Sequence, residues 1–262
     1  MARLDTGRRD AGGPGADGPS GVGRRGAGWK SAVSGELPEG HRKSQAVQSM
    51  FDAIAGRYEL CNTLFTLTLD RRWRAAAVDA LGLEPRSEVL DVASGTGDLC
   101  RELAGRGFSP VGVDLSWGML ANARGGAPTI QADAASLPLP GASFDGVTSG
   151  FGLRNFADLP ATLAEMARVL RPGGRVALLE VATPANPLLR MGHGLWFNHV
   201  VPAVGGVLSD STAYRYLPRS VTYLPSPERM SQMMQEAGFS HVANRLLWGG
   251  LAQLFTATRS PA

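Results

Sequence analysis

Three short apolar runs follow one another between residues 87 and 133, and each brings an aspartate to its end: SEVLDVA with Asp91, PVGVD with Asp114 and PTIQAD with Asp133. Val-rich runs of this length, bounded by turn residues, read as strands, and the segments between them carry helical spacing. Strands alternating with helices imply a parallel sheet covered on both faces, an α/β fold. Such sheets bind ligands beyond the carboxyl ends of their strands, which is where these aspartates fall.

The first run continues into Ser94-Gly95-Thr96-Gly97-Asp98 and then into DLCRELAGRG, a helix that ends on glycine. Around Asp91, Gly95, Thr96 and Gly97 the chain therefore makes a strand, loop and helix in which missing Cβ atoms let backbone approach a ligand. A dinucleotide loop would place a third glycine where Cys100 stands, and a phosphate loop would place Lys and a hydroxyl residue after Gly97. The acids on both sides, Asp91 and Asp98, also oppose a pyrophosphate. They suit a cation. S-adenosyl-L-methionine carries a sulfonium and an ammonium, Asp114 can accept from both ribose hydroxyls, and Asp133 with Ala134 can meet the adenine ring. One acid at a strand end is commonly a turn or helix cap. Three in succession around G-x-G point to a methyl donor, with a hydride-transfer Rossmann enzyme as the alternative.

Residues 46–82 read as helical, in VQSMFDAIAGRY and LDRRWRAAAVDALG, with Gly82 as the stop. After the third strand come FDGVTSG as a strand and GFGLRNFAD as a loop. Asp158 and Pro160 open a helix, and RPGG turns into the strand RVALLEV. Residues 184–225 are apolar, glycine-broken and then aromatic, as a helical and aromatic lid inserted into the domain would be. A helix opened by Ser226-Pro227-Glu228 and a hairpin about Gly249-Gly250 finish the chain.

Residues 1–45 hold 11 Gly and 3 Pro with almost no apolar periodicity, so a disordered tail is expected there and a single domain over 46–262. The tail has 8 basic against 5 acidic residues, and the remainder has 18 of each, so the net charge of +3 belongs to the tail. A basic folded face for nucleic acid is not expected. Cys61 and Cys100 lie far apart without nearby His, which argues against a metal site and a disulfide framework. Without a secretory h-region or an apolar run of membrane-spanning length, a cytoplasmic protein is expected.

The segments FDAIAGRYELCN, VLDVASGTGDL, FGLRN, RVLRPGG with LLEVATP, YRYLPRSV and AGFSHV, spread over roughly residues 46–260, closely resemble the C-methyltransferases of ubiquinone and menaquinone biosynthesis. FGLRN and YRYLPRSV are the specific elements; G-x-G and RPGG are common to many methyltransferases. The resemblance implies a Rossmann-like, seven-stranded methyltransferase sheet with helices on both faces. It also implies methyl transfer from S-adenosyl-L-methionine to a ring carbon of a polyprenyl quinol. Carried over by position, its donor contacts fall on Thr96, Asp114, Asp133 with Ala134, and Gly150.

Ring-carbon attack on a sulfonium methyl requires a deprotonated or oxyanionic ring, so the protein must align the two partners and stabilise a phenolate. Arg154, inside FGLRN, is a candidate for that oxyanion, against a structural bond to backbone or carboxylate. Tyr58 and His199 are the candidate bases, whereas Tyr214 and Tyr216 read as lid aromatics. The chain departs from the family pattern at Glu59, Cys61, Asp70-Arg-Arg-Trp73 and Phe255 or a neighbour, positions expected on the acceptor side, so C- or O-methylation of another phenolic metabolite is the alternative, and a non-catalytic donor-binding partner protein a further one. The expected partners are the polyprenyl quinol, a membrane surface touched peripherally by the apolar residues 186–208, and a second copy in a homodimer.

Overall fold

A computed structural model of the chain describes Lys30, residues 38–201, Ala203, Tyr216 and residues 219–261. The first long element is α1 (Gly40–Phe65), followed by α2 (Leu69–Leu81). Leu67 and Thr68 stand at φ 51° and 65°, a left-handed pair that no helix continues through, so the two helices are separate. Gly82, at φ 61°, closes α2 by donating to the Asp79 carbonyl.

The helix starts ahead of the boundary expected at residue 46, so residues 40–45 belong to the folded domain and not to a disordered tail. Apolar periodicity missed them because their anchor is a lysine. Lys43 is buried, with its stem packed and its amine bonded to a backbone carbonyl.

Alternation then proceeds as β1 (Glu88–Val92), α3 (Asp98–Gly105), β2 (Ser109–Asp114), α4 (Trp117–Ala121), β3 (Thr129–Gln131) and β4 (Phe144–Gly150). It continues with α5 (Leu159–Val169), β5 (Leu170–Val181), α6 (Pro187–Leu195), α7 (Pro227–Glu236), β6 (Phe239–Leu247) and β7 (Ala252–Arg259). Caps fall where the sequence signals them: the side chains of Ser116, Asp158 and Ser226 accept the first-turn amides of α4, α5 and α7. The RPGG segment loops out inside β5, whose pairing with β4 jumps from Leu170 opposite Phe144 to Arg175 opposite Gly146.

The seven strands run in the order β3-β2-β1-β4-β5-β7-β6, parallel except that β7 is antiparallel to both its neighbours. Period-two alternation distributes the core to both faces. Leu90, Val176 and Leu178 pack with α5 and α7 through Leu163, Met166 and Met230. Val89, Ala177 and Leu179 pack on the other face with Trp73 and Leu81 of α2 and Leu103 of α3. Because β1 has β2 on one side and β4 on the other, the chain reverses its winding at β1, and a crevice opens at that switch point.

Of the lid-like insertion, the structure describes α6, a π turn at Trp196–Val200 and a 3-10 turn at Val221–Tyr223. Leu188, Leu189, Met191 and Leu195 of α6 are exposed. Tyr214 lies outside the described residues.

Candidate active site

A cleft of about 980 Å³, counted to its open mouth, lies beyond the carboxyl ends of β1, β2 and β4. Tyr58, Asp91, Gly95, Thr96, Asp114, Asp133, Ala134 and Gly150 all line it. The strand ends place the three aspartates side by side, and each is held differently.

Asp114 closes β2. Its Oδ2 accepts the Gly95 amide at 2.9 Å and its Oδ1 accepts the Ser116 amide at 2.8 Å, which leaves further lone pairs for a ligand. Burial raises its pKa, and the two backbone donors act against that rise. Asp133 is exposed and fixed by the Ala135 amide at 2.9 Å, beside buried Ala134. Asp91 is buried, and desolvation pushes its pKa up to about 7, although Thr148 donates to Oδ1 at 2.9 Å and Cys100 to Oδ2 at 3.7 Å. Cys100, standing where a dinucleotide loop would have its third glycine, thus serves as a donor to Asp91. Its own thiol is held protonated by burial first and by Asp91 second.

The glycine loop bends as its sequence requires. Gly95 has φ 57° and Gly97 φ 82°. Gly97 is the N-cap of α3 and donates to Ser94 at 2.9 Å; it shapes the turn and is not among the residues lining the cleft. A Cβ at Gly150 would stand 2.9 Å from Leu99 Cδ1, so a larger residue where β4 meets α3 would push the Leu99 side chain aside. Two hydroxyls on the cleft wall, Ser94 Oγ and Thr96 Oγ1, are buried without a partner. An unpaired buried hydroxyl is destabilising by about 1–3 kcal/mol, which a polar ligand would offset. Unsatisfied hydroxyls, flanking carboxylates and close-approach glycines together fit a cationic nucleoside such as S-adenosyl-L-methionine.

Other residues take places that sequence reasoning did not assign. Arg74 lines the cleft, bonded to Asp70 and, at 3.0 Å, to Asp98. Asp98 is further neutralised by Arg101, so the loop acid is tied into an ion network. Asn155 of the FGLRN loop also lines the cleft. Tyr216, fully buried, donates to Asn155 Oδ1 at 3.4 Å, which brings this tyrosine of YRYLPRSV against FGLRN. Lys43 Nζ donates to the Phe156 carbonyl at 2.8 Å and sits 3.6 Å above the Tyr223 ring, and Tyr223 donates to the Pro38 carbonyl at 2.5 Å. Desolvation pulls the Lys43 pKa down to about 8.

The three catalytic candidates fare differently. Tyr58 is at the cleft, and burial raises its pKa, with Arg154 acting in the opposite sense, so the phenol is protonated near neutral pH. Arg154 is not on the cleft wall. Its guanidinium pairs with buried Glu180, whose Oε2 also accepts the Arg154 amide at 3.3 Å, and its Nε has no partner. That is the structural bond to a carboxylate, and the paired guanidinium still acts on the Tyr58 phenol in the cleft. His199 is exposed on the π turn and does not reach the cleft.

The expected acceptor-side departures also move. Phe255 is buried in the core, Trp73 packs edge-on to Phe151 at 6.1 Å, and Asp70 supports Arg74 on the donor wall. Glu59 pairs with Arg101 at 2.7 Å and Arg124 at 3.3 Å, tying α1 to the rim of the cleft.

A sheet of this order, with acids at the ends of its first three strands and a glycine loop at the switch point, defines the Rossmann-like methyltransferase class. The chain belongs to the ubiE/COQ5 methyltransferase family, whose model matches residues 40–259. A demethylmenaquinone methyltransferase of Deinococcus radiodurans is 47% identical over 228 residues, covering 83% of this chain and 94% of that protein. The ubiquinone/menaquinone biosynthesis C-methyltransferase UbiE of Syntrophotalea carbinolica is 42% identical over 233 residues, covering 86% and 98%. Among solved structures, a SAM-dependent methyltransferase of Thermotoga maritima superposes with TM-score 0.57 at 19% identity, covering 80% of this chain and 99% of that one. The chain is accordingly an S-adenosyl-L-methionine-dependent C-methyltransferase of the quinone-biosynthesis type. No helix among the described residues is long and apolar enough to cross a membrane, and none of their side chains cluster as metal ligands.

Proposed function

We propose that the chain methylates a ring carbon of demethylmenaquinol, yielding menaquinol. The observation that carries this reading is the continuity of the donor wall with an acceptor end built from the family-specific FGLRN loop and α1 in one cleft. Menaquinone stands in the names of both relatives above, which favours the naphthoquinol over a benzoquinol acceptor.

The donor, when bound, supplies a methyl group made electrophilic by its sulfonium. Asp114 accepts from the ribose hydroxyls, Asp133 and Ala134 border the adenine, and Asp91 faces the cationic end. The rest of the work is alignment and charge. Phe51 and Phe156 offer apolar walls to a flat ring, and the protonated Tyr58 hydroxyl donates to the ring oxygen that gains negative charge as its proton leaves to solvent. The ring carbon takes the methyl as the carbon–sulfur bond breaks to release the thioether, and the ring C–H proton is then lost as the oxygen regains a proton. Purified protein should transfer labelled methyl to a short-chain demethylmenaquinol. Donor binding without transfer to any naphthoquinol or benzoquinol would reject the proposal.

A prenylated acceptor resides in a bilayer, and α6 offers Leu188, Leu189, Met191 and Leu195 to the outside. We read α6 as a peripheral membrane contact that brings the cleft to its substrate. Leu188→Glu with Met191→Glu should reduce flotation with liposomes; unchanged flotation would end that reading.

A further inference from the structure

The turn that follows Asp114 is fastened from outside its own unit. Its helix α4 has only 5 residues, Trp117–Ala121, and Trp117 is exposed, so neither helical cooperativity nor burial on that side holds the turn in place. Side chains from other elements do so. Asp52 of α1 accepts the Ser116 hydroxyl at 2.5 Å and the Gly118 amide at 2.8 Å on one oxygen, and Gln48 of α1 and Gln131 of β3 both donate to the Leu115 carbonyl at 3.0 Å. Buried Ser116 is the link, since its amide donates to Asp114 Oδ1 at 2.8 Å while its hydroxyl holds Asp52. From these contacts we infer that Asp52 is a positioning residue for the donor's ribose, acting through Ser116 to hold the Asp114 carboxylate where the ribose hydroxyls meet it. This role for Asp52 rests on Asp114 being the ribose acceptor.

Two further features set this contact apart from ordinary helix packing. A Cβ at Gly118 would stand 2.8 Å from the Asp52 Cα, a backbone atom that cannot turn aside, so glycine is what lets α1 come near enough for these bonds. The second feature is electrostatic. Burial raises the Asp114 pKa, and the Ser116 amide is the largest influence acting against that rise, so the bond that Asp52 secures is the one on which the carboxylate most depends. The Asp52 charge itself acts in the same sense as burial, so Asp52 serves Asp114 through hydrogen bonds and not through charge complementarity. α1 thereby meets the donor half of the cleft at Asp52 and the FGLRN loop at Lys43, through two separate fastenings.

The test is calorimetry on the full chain with S-adenosylhomocysteine and with its dideoxy analogue, which lacks only the two ribose hydroxyls. Wild-type protein should prefer the hydroxyl-bearing ligand by on the order of 100-fold, the range of hydrogen bonds to a charged group. In Asp52→Ala that preference should shrink about tenfold, with the analogue bound as before. Asp52→Asn, whose amide oxygen still accepts both bonds, should keep it. Ser116→Ala should shrink it as Asp52→Ala does, and the two changes together should lose little more than either alone, because both act in one chain of contacts. Gly118→Ala, which displaces α1 without removing a polar group, should give the same loss and serves where Asp52→Ala does not fold. An undiminished preference in these variants, or an equal loss of both ligands, would overturn the role of Asp52 while leaving the donor cleft intact. Wild-type protein that binds the two ligands equally would instead show that Asp114 is not the ribose acceptor, and the role of Asp52 would fall with that reading.

Discussion

The donor half of the cleft and its acceptor half are built on different principles. On the donor side, Asp91, Gly95, Thr96 and Asp114 lie within one strand-loop-helix-strand unit, and the Gly95 amide reaches Asp114 across 19 positions. On the acceptor side, the hydrogen bonds that hold the wall join residues 61 positions apart in Tyr216 to Asn155, 113 in Lys43 to Phe156, and 185 in Tyr223 to Pro38. Local geometry makes a donor site that a single turn of chain can carry. The acceptor end exists only when α1, the FGLRN loop and the far end of the lid-like insertion close on one another, so substitutions there should trade in stability and acceptor binding while sparing the donor.

The largest effect should follow from breaking the pair beneath the FGLRN loop. Arg154→Gln leaves Glu180 charged, buried and unpaired, a loss of about 3–5 kcal/mol. Thermal unfolding should fall by roughly 10 °C, and the joint change Arg154→Met with Glu180→Leu should recover most of it. A shift of only a degree or two would show that the pair does not hold the acceptor end together. Next, Asp114→Ala should weaken donor binding by on the order of 100-fold, since it removes a charged acceptor from the ribose, with a smaller change in melting. Retained donor affinity in calorimetry would place the ribose elsewhere.

A pH test of intermediate size concerns Asp91, whose pKa is raised by burial to about 7 from its ordinary 3.8. A cationic ligand favours the carboxylate, so binding expels the proton, and donor affinity should rise by roughly tenfold or less between pH 6 and 8. The stability sign is opposite. Because the folded protein holds this proton more tightly than the unfolded chain, the contribution of Asp91 falls as pH climbs from about 4 to about 7 and then levels. Asp91→Asn should therefore melt higher than wild type at pH 8 but not at pH 4, and should flatten the pH dependence of donor affinity. Identical pH profiles in the two proteins would remove Asp91 from the donor's cationic end. The smallest effect is expected of Lys43→Met, a few-fold rise in KM for the quinol with donor Kd unchanged; a shift in donor Kd instead would join the two halves of the cleft.

This division also governs what was legible in the sequence. The strand ends, the glycine loop and the caps at Ser116, Asp158 and Ser226 are set by neighbours within a few residues, and each stands where its signal placed it. Lys43 and Arg74 escaped because each is a charged residue in a helix, a pattern that ordinarily marks a solvated face, and only the tertiary fold shows them buried. Arg154 was read from its place beside the donor, and nothing local announces that Glu180, 26 positions later, comes to hold its guanidinium. The protonation of Tyr58 depends on desolvation by residues from several elements, which no spacing in the chain records.

The central claim, that this cleft joins a methyl donor to a quinol ring, is tested most directly by mass spectrometry of the quinones in a strain lacking the gene. Menaquinone should disappear, demethylmenaquinone should accumulate in its place, and the Asp114→Ala gene should fail to restore the methylated form. Menaquinone at wild-type levels in the strain without the gene would contradict the claim.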